Sequence, residues 1–335
     1  MKTKQKLLAT AVTAVFALGA AAPAAAHVYA GSHLSISNLV INFFDQDTGG
    51  QITNLNPGFT FNVEDSATLN GSTQAFADGC SSVANNCGTA PTPVLNVPAA
   101  NAPGSSIARA NGNYSLFGPG SETYANANAE ISTAQLVNGV PTATQQVAEV
   151  ELQGKGQAQA STNIQSNTSF TMNFALMGDG PAQLQLNFDA NPELQALVAT
   201  DGQGFAQANI SANFTLNQLS GGSGFATWSP NGSATGNAIC ANGLTCSDEV
   251  NPESLNLTLG VGPQDGNLSH SLGVPASSFQ LYVSGLTAGN YTLTLAALTS
   301  VNVTEVPAPG TLLLLGSGVL GLGLAGIRRR RQIQA

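Results

Sequence analysis

Residues that could carry acid–base chemistry are scarce in this chain of 335 residues, which has only three histidines: His27, His33 and His270. The G-x-S-x-G signature of serine hydrolases and the H-E-x-x-H signature of zinc proteases do not occur in the sequence. If the chain is cut after Ala26, His27 becomes a new N-terminus, and its amine and ring could chelate copper together with a second histidine. The histidines therefore support one narrow metal hypothesis and neither of these catalytic motifs.

The four cysteines fall into two local pairs, Cys80 with Cys87 and Cys240 with Cys246. Neither pair has the C-x-x-C spacing of a zinc or redox site. Four cysteines allow three connectivities, and local pairing closes two small loops with little strain. The spacing therefore favours two local disulfides that stiffen surface loops of an exported protein.

Asp45 and Asp47 form a second candidate metal site, because they stand two residues apart just before two glycines. This spacing is similar to the start of an oxygen-ligand calcium loop, although the later carboxylates of such loops are missing here. An ordinary β-turn is the alternative, since Asp-x-x-Gly-Gly is common turn chemistry. Apart from the copper hypothesis for His27, no cofactor is expected unless calcium binds at Asp45 and Asp47.

Charge is distributed very unevenly along the chain. Basic residues cluster at the two ends, and between residues 27 and 305 only Arg109 and Lys155 remain. These 2 cations stand against all 18 carboxylates, so this long segment carries a net charge of −16. Nucleic acid is excluded as a partner, because binding a phosphate backbone requires a basic face.

Apolar and polar residues alternate in six short segments, which is the pattern of half-buried β-strands. The segments are 170–176, 182–188, 210–216, 255–259, 279–283 and 291–295. Turn-forming clusters of Gly, Asn and Pro separate them, so residues 27–305 are predicted to be an all-β ectodomain, an antiparallel β-sandwich of jelly-roll type. One helix is expected over 191–198, with Asn191 as its cap and Pro192 in its first turn. Residues 78–106 are expected to form a long loop.

A weak internal repeat accompanies the alternation. Residues 169–173 are similar to residues 213–217 at an offset of 44, and 154–160 are similar to 202–208 at an offset of 48. The repeat predicts strands that share a register. Convergence of a low-complexity composition is the alternative.

Residues 1–26 have the pattern of a secretory signal peptide, with three lysines, an apolar run and small residues before the cleavage point. We expect cleavage after Ala26, with a cut after Ala30 as the second choice. A transmembrane anchor is the rival interpretation, but it would need about 20 strongly apolar residues.

Residues 306–335 combine a proline motif, an apolar run at 311–327 and a basic cluster. The motif consists of Val306, Pro307, Ala308 and Pro309, and the cluster of Arg328, Arg329, Arg330 and Arg331. The apolar run would form a helix of about 26 Å, slightly shorter than a bilayer core of about 30 Å, with its arginines on the cytoplasmic side.

This tail resembles the PEP-CTERM sorting signal of Gram-negative bacteria, with Ala308 where the family usually has Glu. The resemblance implies recognition and cleavage at residues 306–309 by an exosortase-type membrane protease or transpeptidase, after a transient stay in the inner membrane. An ordinary single-span anchor is the alternative. Residues 64–67, Glu-Asp-Ser-Ala, are similar to the string that names one PEP-CTERM subfamily, with Thr68 in place of its Pro.

The resemblance implies a non-enzymatic protein of the cell envelope, outer surface or extracellular matrix, associated with exopolysaccharide. The alternative is a secreted glycan-binding or glycan-acting protein, with calcium as a possible aid. That alternative requires a carboxylate pair or an aromatic platform, and the sequence supplies one tryptophan, Trp228, and five tyrosines.

Overall fold

The computed structural model describes residues 27–305 except 54, 56, 82–92, 134–141, 154–159, 179, 200–203, 264–265 and 271–272. Over these residues the chain forms only β-strands, turns and irregular segments, with no helix. The strands are β1 (His27–Asp45), β2 (Gly58–Leu69), β3 (Ser72–Ser81), β4 (Pro93–Asn96), β5 (Ala100–Asn101), β6 (Tyr124–Thr133), β7 (Thr142–Gln153), β8 (Ala160–Leu176), β9 (Ala182–Val198), β10 (Gly204–Gln218), β11 (Phe225–Trp228), β12 (Ile239–Ala241), β13 (Thr245–Val250), β14 (Asn256–Val261), β15 (Gly266–His270), β16 (Ser277–Leu286) and β17 (Gly289–Glu305).

The strands make two antiparallel sheets that face each other across one core, which confirms the predicted all-β, sandwich-like fold. The first sheet has the order β13-β16-β9-β1-β7-β6-β4, with β15 beside β9 and β5 beside β6. The second has the order β12-β11-β10-β17-β8-β2-β3, with β14 beside β10. Buried and half-buried residues alternate along all of β9, because one face of this strand meets the core and the other faces outward.

Aromatic side chains fill the core between the sheets. Phe188 and Phe279 of the first sheet stack with their ring centroids 4.9 Å apart. Phe214 of the second sheet lies 5.0 Å from Phe188. Trp228, which is 1% exposed, completes this cluster. The tryptophan considered for a sugar platform is therefore a core residue.

The predicted helix over 191–198 is wrong, because these residues continue β9. Pro192 pairs with Leu34 of β1, whereas on the other side β15 ends opposite Leu194 and β16 begins opposite Ala190. Among the residues that the structure describes, 191–193 thus have a neighbouring strand on one side only. Nearby, the Ala199 N–H donates a hydrogen bond to the His27 carbonyl of β1. Since successive residues of a strand direct their N–H and C=O groups to opposite sides, the odd-numbered residues of this segment bond to β1 and the even-numbered ones point away from it. Pro192 therefore lacks an N–H at a position where the described part of the chain provides no acceptor strand.

The long loop expected over 78–106 is also wrong in part. Residues 78–81 complete β3, and two short strands, β4 and β5, follow in the described residues. Pro93 opens β4, which is the edge strand of the first sheet, where a missing N–H is tolerated. Residues 82–92 lie outside the described part of the chain.

The internal repeat has a structural counterpart on either side of β17. Phe170 of β8 and Phe214 of β10 both pair with Leu295, which lies between them. Met172 and Leu216 likewise share Leu293. The offset of 44 therefore places equivalent residues at one level of the sheet, as the shared register predicts.

The disulfide between Cys240 and Cys246 joins β12 to β13. Because β12 is the edge of the second sheet and β13 the edge of the first, this bond links the two sheets at one side of the sandwich. The local pairing is confirmed for these two cysteines, but the expected role of stiffening a surface loop is too narrow.

Candidate functional site

Residues 102–123, here called the covering loop, lie over the outward face of β1, β6 and β7. Tyr29 of β1 points to this face, because its neighbours Val28 and Ala30 belong to the core. Tyr29 and the outward Tyr124 of β6 are nevertheless fully buried. The covering loop therefore shields part of an outer sheet face from solvent.

Glu149 of β7 anchors the covering loop to the sheet. Its carboxylate accepts hydrogen bonds from the Tyr29 hydroxyl (2.6 Å) and from the backbone N–H groups of Phe117 (3.1 Å) and Gly118 (2.9 Å). The Arg109 guanidinium forms an ion pair with the same carboxylate, and both side chains are fully buried.

The remaining Arg109 donors bind the loop and the sheet. Its Nε donates to Asn126 Oδ1 (2.7 Å), and Nη1 donates to the carbonyls of Asn113 (3.0 Å) and Ser115 (2.8 Å). Burial raises the pKa of Glu149 and lowers the pKa of Arg109, while their mutual attraction opposes both shifts. Because its polar atoms are bonded to the protein itself, the pair is a structural clamp.

Each histidine contacts a glutamate, in the pairs His27–Glu151 (2.8 Å), His33–Glu193 (3.6 Å) and His270–Glu253 (3.1 Å). His27 and His33 both lie on β1 and are separated by about 20 Å at about 3.3 Å per residue. They cannot bind one copper ion, so the copper hypothesis is wrong for this pair. Over the described residues, no group of three or more His, Cys, Asp or Glu side chains could hold a metal ion.

A groove of about 830 Å³, here called the outer groove, runs beside the covering loop across β7, β1 and β9. Residues 112–118 of the covering loop form one wall, and residues 274–276 form the opposite wall. The floor consists of outward-facing side chains of three strands, Gln145, His33, Ser35, Asn191, Glu193 and Gln195. The groove therefore lies over the section of β9 that has a neighbour on one side only.

The floor of the outer groove is held in place by Glu193. Its carboxylate contacts His33 and accepts hydrogen bonds from Asn191 Nδ2 (3.2 Å) and from the Gly273 backbone N–H. The close contact with His33 is the main cause that lowers the pKa of Glu193, and the Asn191 and Gly273 hydrogen bonds add to it. Glu193 thereby ties β1, β9 and the 274–276 wall together.

Asp45 and Asp47 lie in a turn at the end of β1. Asp45 Oδ1 accepts the backbone N–H groups of Asp47 (2.9 Å) and Thr48 (2.8 Å), and the hydrogen bonds to Thr48 lower the pKa of Asp45. Gly49 adopts a positive φ of 69°, as such a turn requires. The structure thus shows the β-turn alternative, and a calcium role for the two aspartates stays a prediction.

Several predicted site residues lie outside the described residues. They are Cys87, the motif Val306 to Pro309, the cluster Arg328 to Arg331, and residues 1–26. Cys80 is disulfide-bonded and buried at the end of β3. In the part of the chain that the structure describes, no helix is long and apolar enough to span a membrane.

Sequence reasoning missed both the clamp and the outer groove. Glu149 and Glu151 alternate with apolar residues in β7, so a polar outward face could have been expected there. Asn191, Glu193 and Gln195 would have been recognised as one outward row if 191–198 had been read as a strand. No sequence signal places the covering loop over these residues.

Comparisons with known proteins add no function. No family model and no curated protein matches this chain. Among solved structures, the Gt strain of infectious bursal disease virus shares 12% identity and a TM-score of 0.08, covering 86% of this chain and 67% of the viral chain. The Gx strain shares 10% identity and a TM-score of 0.08, covering 86% and 83% of the two chains. Likenesses this weak carry no argument about fold or function.

Proposed function

We propose that this protein is an exported, non-enzymatic component of the bacterial cell surface or extracellular matrix that associates with exopolysaccharide. The observation that carries the proposal is the chemistry of the two outer sheet faces. Both faces present rows of amides and hydroxyls, which offer the same donors and acceptors as sugar hydroxyl groups.

Cross-strand hydrogen bonds order these rows on each sheet. In the first sheet they join Gln183 to Ser284 (2.9 Å), Gln185 to Tyr282 (2.7 Å) and Ser278 to Asp189 (2.6 Å). In the second sheet they join Ser211 to Asn256 (2.8 Å) and Thr292 to Asn173 (2.9 Å). Ordered side chains lose less conformational entropy on contact with a hydrated polymer, which favours broad, weak association.

The destination is supported by the two ends of the chain. The signal-peptide pattern at 1–26 fits export, and the PEP-CTERM-like tail at 306–335 fits handling by an exosortase-type partner at the inner membrane. The rigid Pro307-Ala308-Pro309 step would hold the backbone extended for such a partner.

Mass spectrometry of the protein from native cells tests the sorting half of the proposal. We expect the surface-exposed pool to lack peptides that span Pro309 into Leu315, and a variant lacking Arg328 to Arg331 to retain them. Intact spanning peptides in the wild-type surface pool would refute sorting by cleavage.

Fractionation of the same cells tests the matrix half. We expect the protein to sediment with exopolysaccharide and to be released into the medium when polysaccharide synthesis is blocked. An unchanged distribution in the polysaccharide-deficient cells would refute the association.

The outer groove also favours a second candidate function, specific glycan binding.

A further inference from the structure

We infer that the outer groove is a binding site for a neutral oligosaccharide segment, an inference that rests on the proposed association with polysaccharide. Its volume of about 830 Å³ lies within the range of about 300–1,000 Å³ that is usual for ligand sites. Three properties of its walls and floor point to this class of ligand.

The first property is the open hydrogen-bonding capacity of the floor. Within the described residues, the side chains of Ser35 and Gln145 have no hydrogen-bond partner, although both face the groove. Gln195 is engaged only through a weak 3.3 Å contact from its Nε2 to Asn267 Oδ1. Hydroxyl and amide groups of this kind both donate and accept, as sugar hydroxyls require.

The second property is apolar surface beside this polar floor. Phe117 is 38% exposed on the covering-loop wall, and the Arg109 guanidinium lies over its ring at 4.2 Å from the centroid. Val274 on the opposite wall is 49% exposed. A sugar ring combines an apolar C–H face with polar edges, so apolar walls above a polar floor suit it.

The third property is charge. The one carboxylate in the groove, Glu193, contacts His33, and the described lining contains no lysine or arginine that could meet an acidic sugar. Arg109, next to the groove, is fully buried and bound to Glu149. The −16 charge of residues 27–305 repels uronic-acid polymers, so a neutral glycan is the matching partner.

The Glu193 contacts fix His33 and Asn191 on the floor, and the Arg109–Glu149 clamp fixes residues 113–118 of the covering-loop wall. A ligand therefore does not have to order these side chains when it binds. Preorganisation reduces the entropic cost of association, which is large for flexible glycans.

Titration calorimetry with the purified full chain tests the inference. The probes are neutral hexasaccharides of glucose, mannose, galactose and xylose, and acidic oligomers of galacturonate and of alginate. We expect binding of at least one neutral hexasaccharide and none of the acidic oligomers.

Matched variants locate the binding site. Gln195→Ala and the double variant Ser35→Ala/Gln145→Ala should each weaken binding about tenfold, because a sugar hydroxyl would lose its partner. Gln183→Ala is the control, since Gln183 is an outward glutamine on the same strand that bonds Ser284 outside the groove. Thermal melts verify that each variant folds.

Absence of binding to every neutral hexasaccharide would overturn the inference, as would preference for acidic oligomers or equal affinities of the Gln195 and Gln183 variants. The proposed function has a separate outcome. Should wild type and groove variants sediment equally with native exopolysaccharide, the matrix association survives and the groove assignment fails. Should the wild type not sediment with it, the proposed function fails.

Discussion

Asp65 is a carboxylate on the inward side of β2, at the edge of the sandwich core. It alternates with the core residues Val63 and Ala67 and is 2% exposed. Burial raises its pKa to about 7, and the backbone N–H groups of Phe76 and Ala100 oppose this shift only in part. The charged form is therefore disfavoured in the folded protein.

Replacing Asp65 by Asn should stabilise the protein at pH 8 and have little effect at pH 4. A raised pKa in the folded state means that stability falls as the pH rises from about 4 through about 7. The rise in the pKa of Asp65 from 3.8 to about 7 lowers the free energy of unfolding at pH 8 by roughly 4 kcal/mol at most. Urea unfolding at both pH values measures the effect, with the exposed neighbour variant Glu64→Gln as control. An equal increase in the free energy of unfolding of the Asp65→Asn variant at both pH values would contradict this account.

Glu149→Gln should destabilise the protein by about 3–5 kcal/mol, because it leaves the buried Arg109 without its counter-ion. Amide hydrogen exchange should show the covering loop opening first, since the new side-chain amide keeps only one acceptor oxygen and either the Phe117 or the Gly118 N–H then faces a donor NH2 group. The double variant Arg109→Met/Glu149→Leu removes both charges and should recover much of the loss. If the double variant loses as much free energy of unfolding as the two single variants added together, the clamp is refuted.

At the scale of single elements, β9 shows which parts of a strand can be predicted from local sequence patterns and which cannot. The alternation over 182–188 predicted the first half of this strand. The second half matched a capped helix equally well, because Asn191-Pro192-Glu193 is followed by Leu194, Leu197 and Val198. The deciding fact, a gap between β15 and β16 that accommodates a proline, is a tertiary property that no local pattern contains.

Moving the proline along β9 tests this explanation. Ala196 faces the core four residues from Pro192, but it lies between Ala30 of β1 and Leu268 of β15. Ala196→Pro should cost about 3 kcal/mol or more, because the lost N–H points to a partner strand. Pro192→Ala should change the free energy of unfolding by less than about 1 kcal/mol. Comparable costs for the two variants in urea unfolding would contradict the one-sided pairing.

The outer groove could not be predicted from the sequence for a related reason. Its floor takes residues from β1, β7 and β9, and its walls come from two irregular segments far apart in the chain. Periodicity assigns a residue to a face of a strand, but it does not say which strands become neighbours or which loop covers them. The turn at Asp45, by contrast, depends on adjacent residues and was among the alternatives.

At the scale of the whole molecule, the sandwich buries a few charged side chains and has far more carboxylates than cations. Of the two cations between residues 27 and 305, Arg109 is committed to a buried ion pair. The exposed carboxylates, such as Glu64 and Asp78, therefore have few cations to neutralise them. The stability of the folded protein should therefore depend on how well salt screens the repulsion between these carboxylates.

The melting temperature should accordingly rise with ionic strength. Raising sodium chloride from about 0.01 M to about 0.1 M shortens the Debye length from about 30 Å to about 10 Å, which weakens repulsion across the molecule. A relief of about 1 kcal/mol would raise the melting temperature by roughly 1.5–2 °C in a protein of this size. The variant Glu64→Gln/Asp78→Asn removes two exposed charges and should melt higher at low salt with a smaller salt response. Because the repulsion is summed over the whole surface, a melting temperature that is flat across the titration, or a salt response unchanged in that variant, would show that the −16 charge does not limit stability.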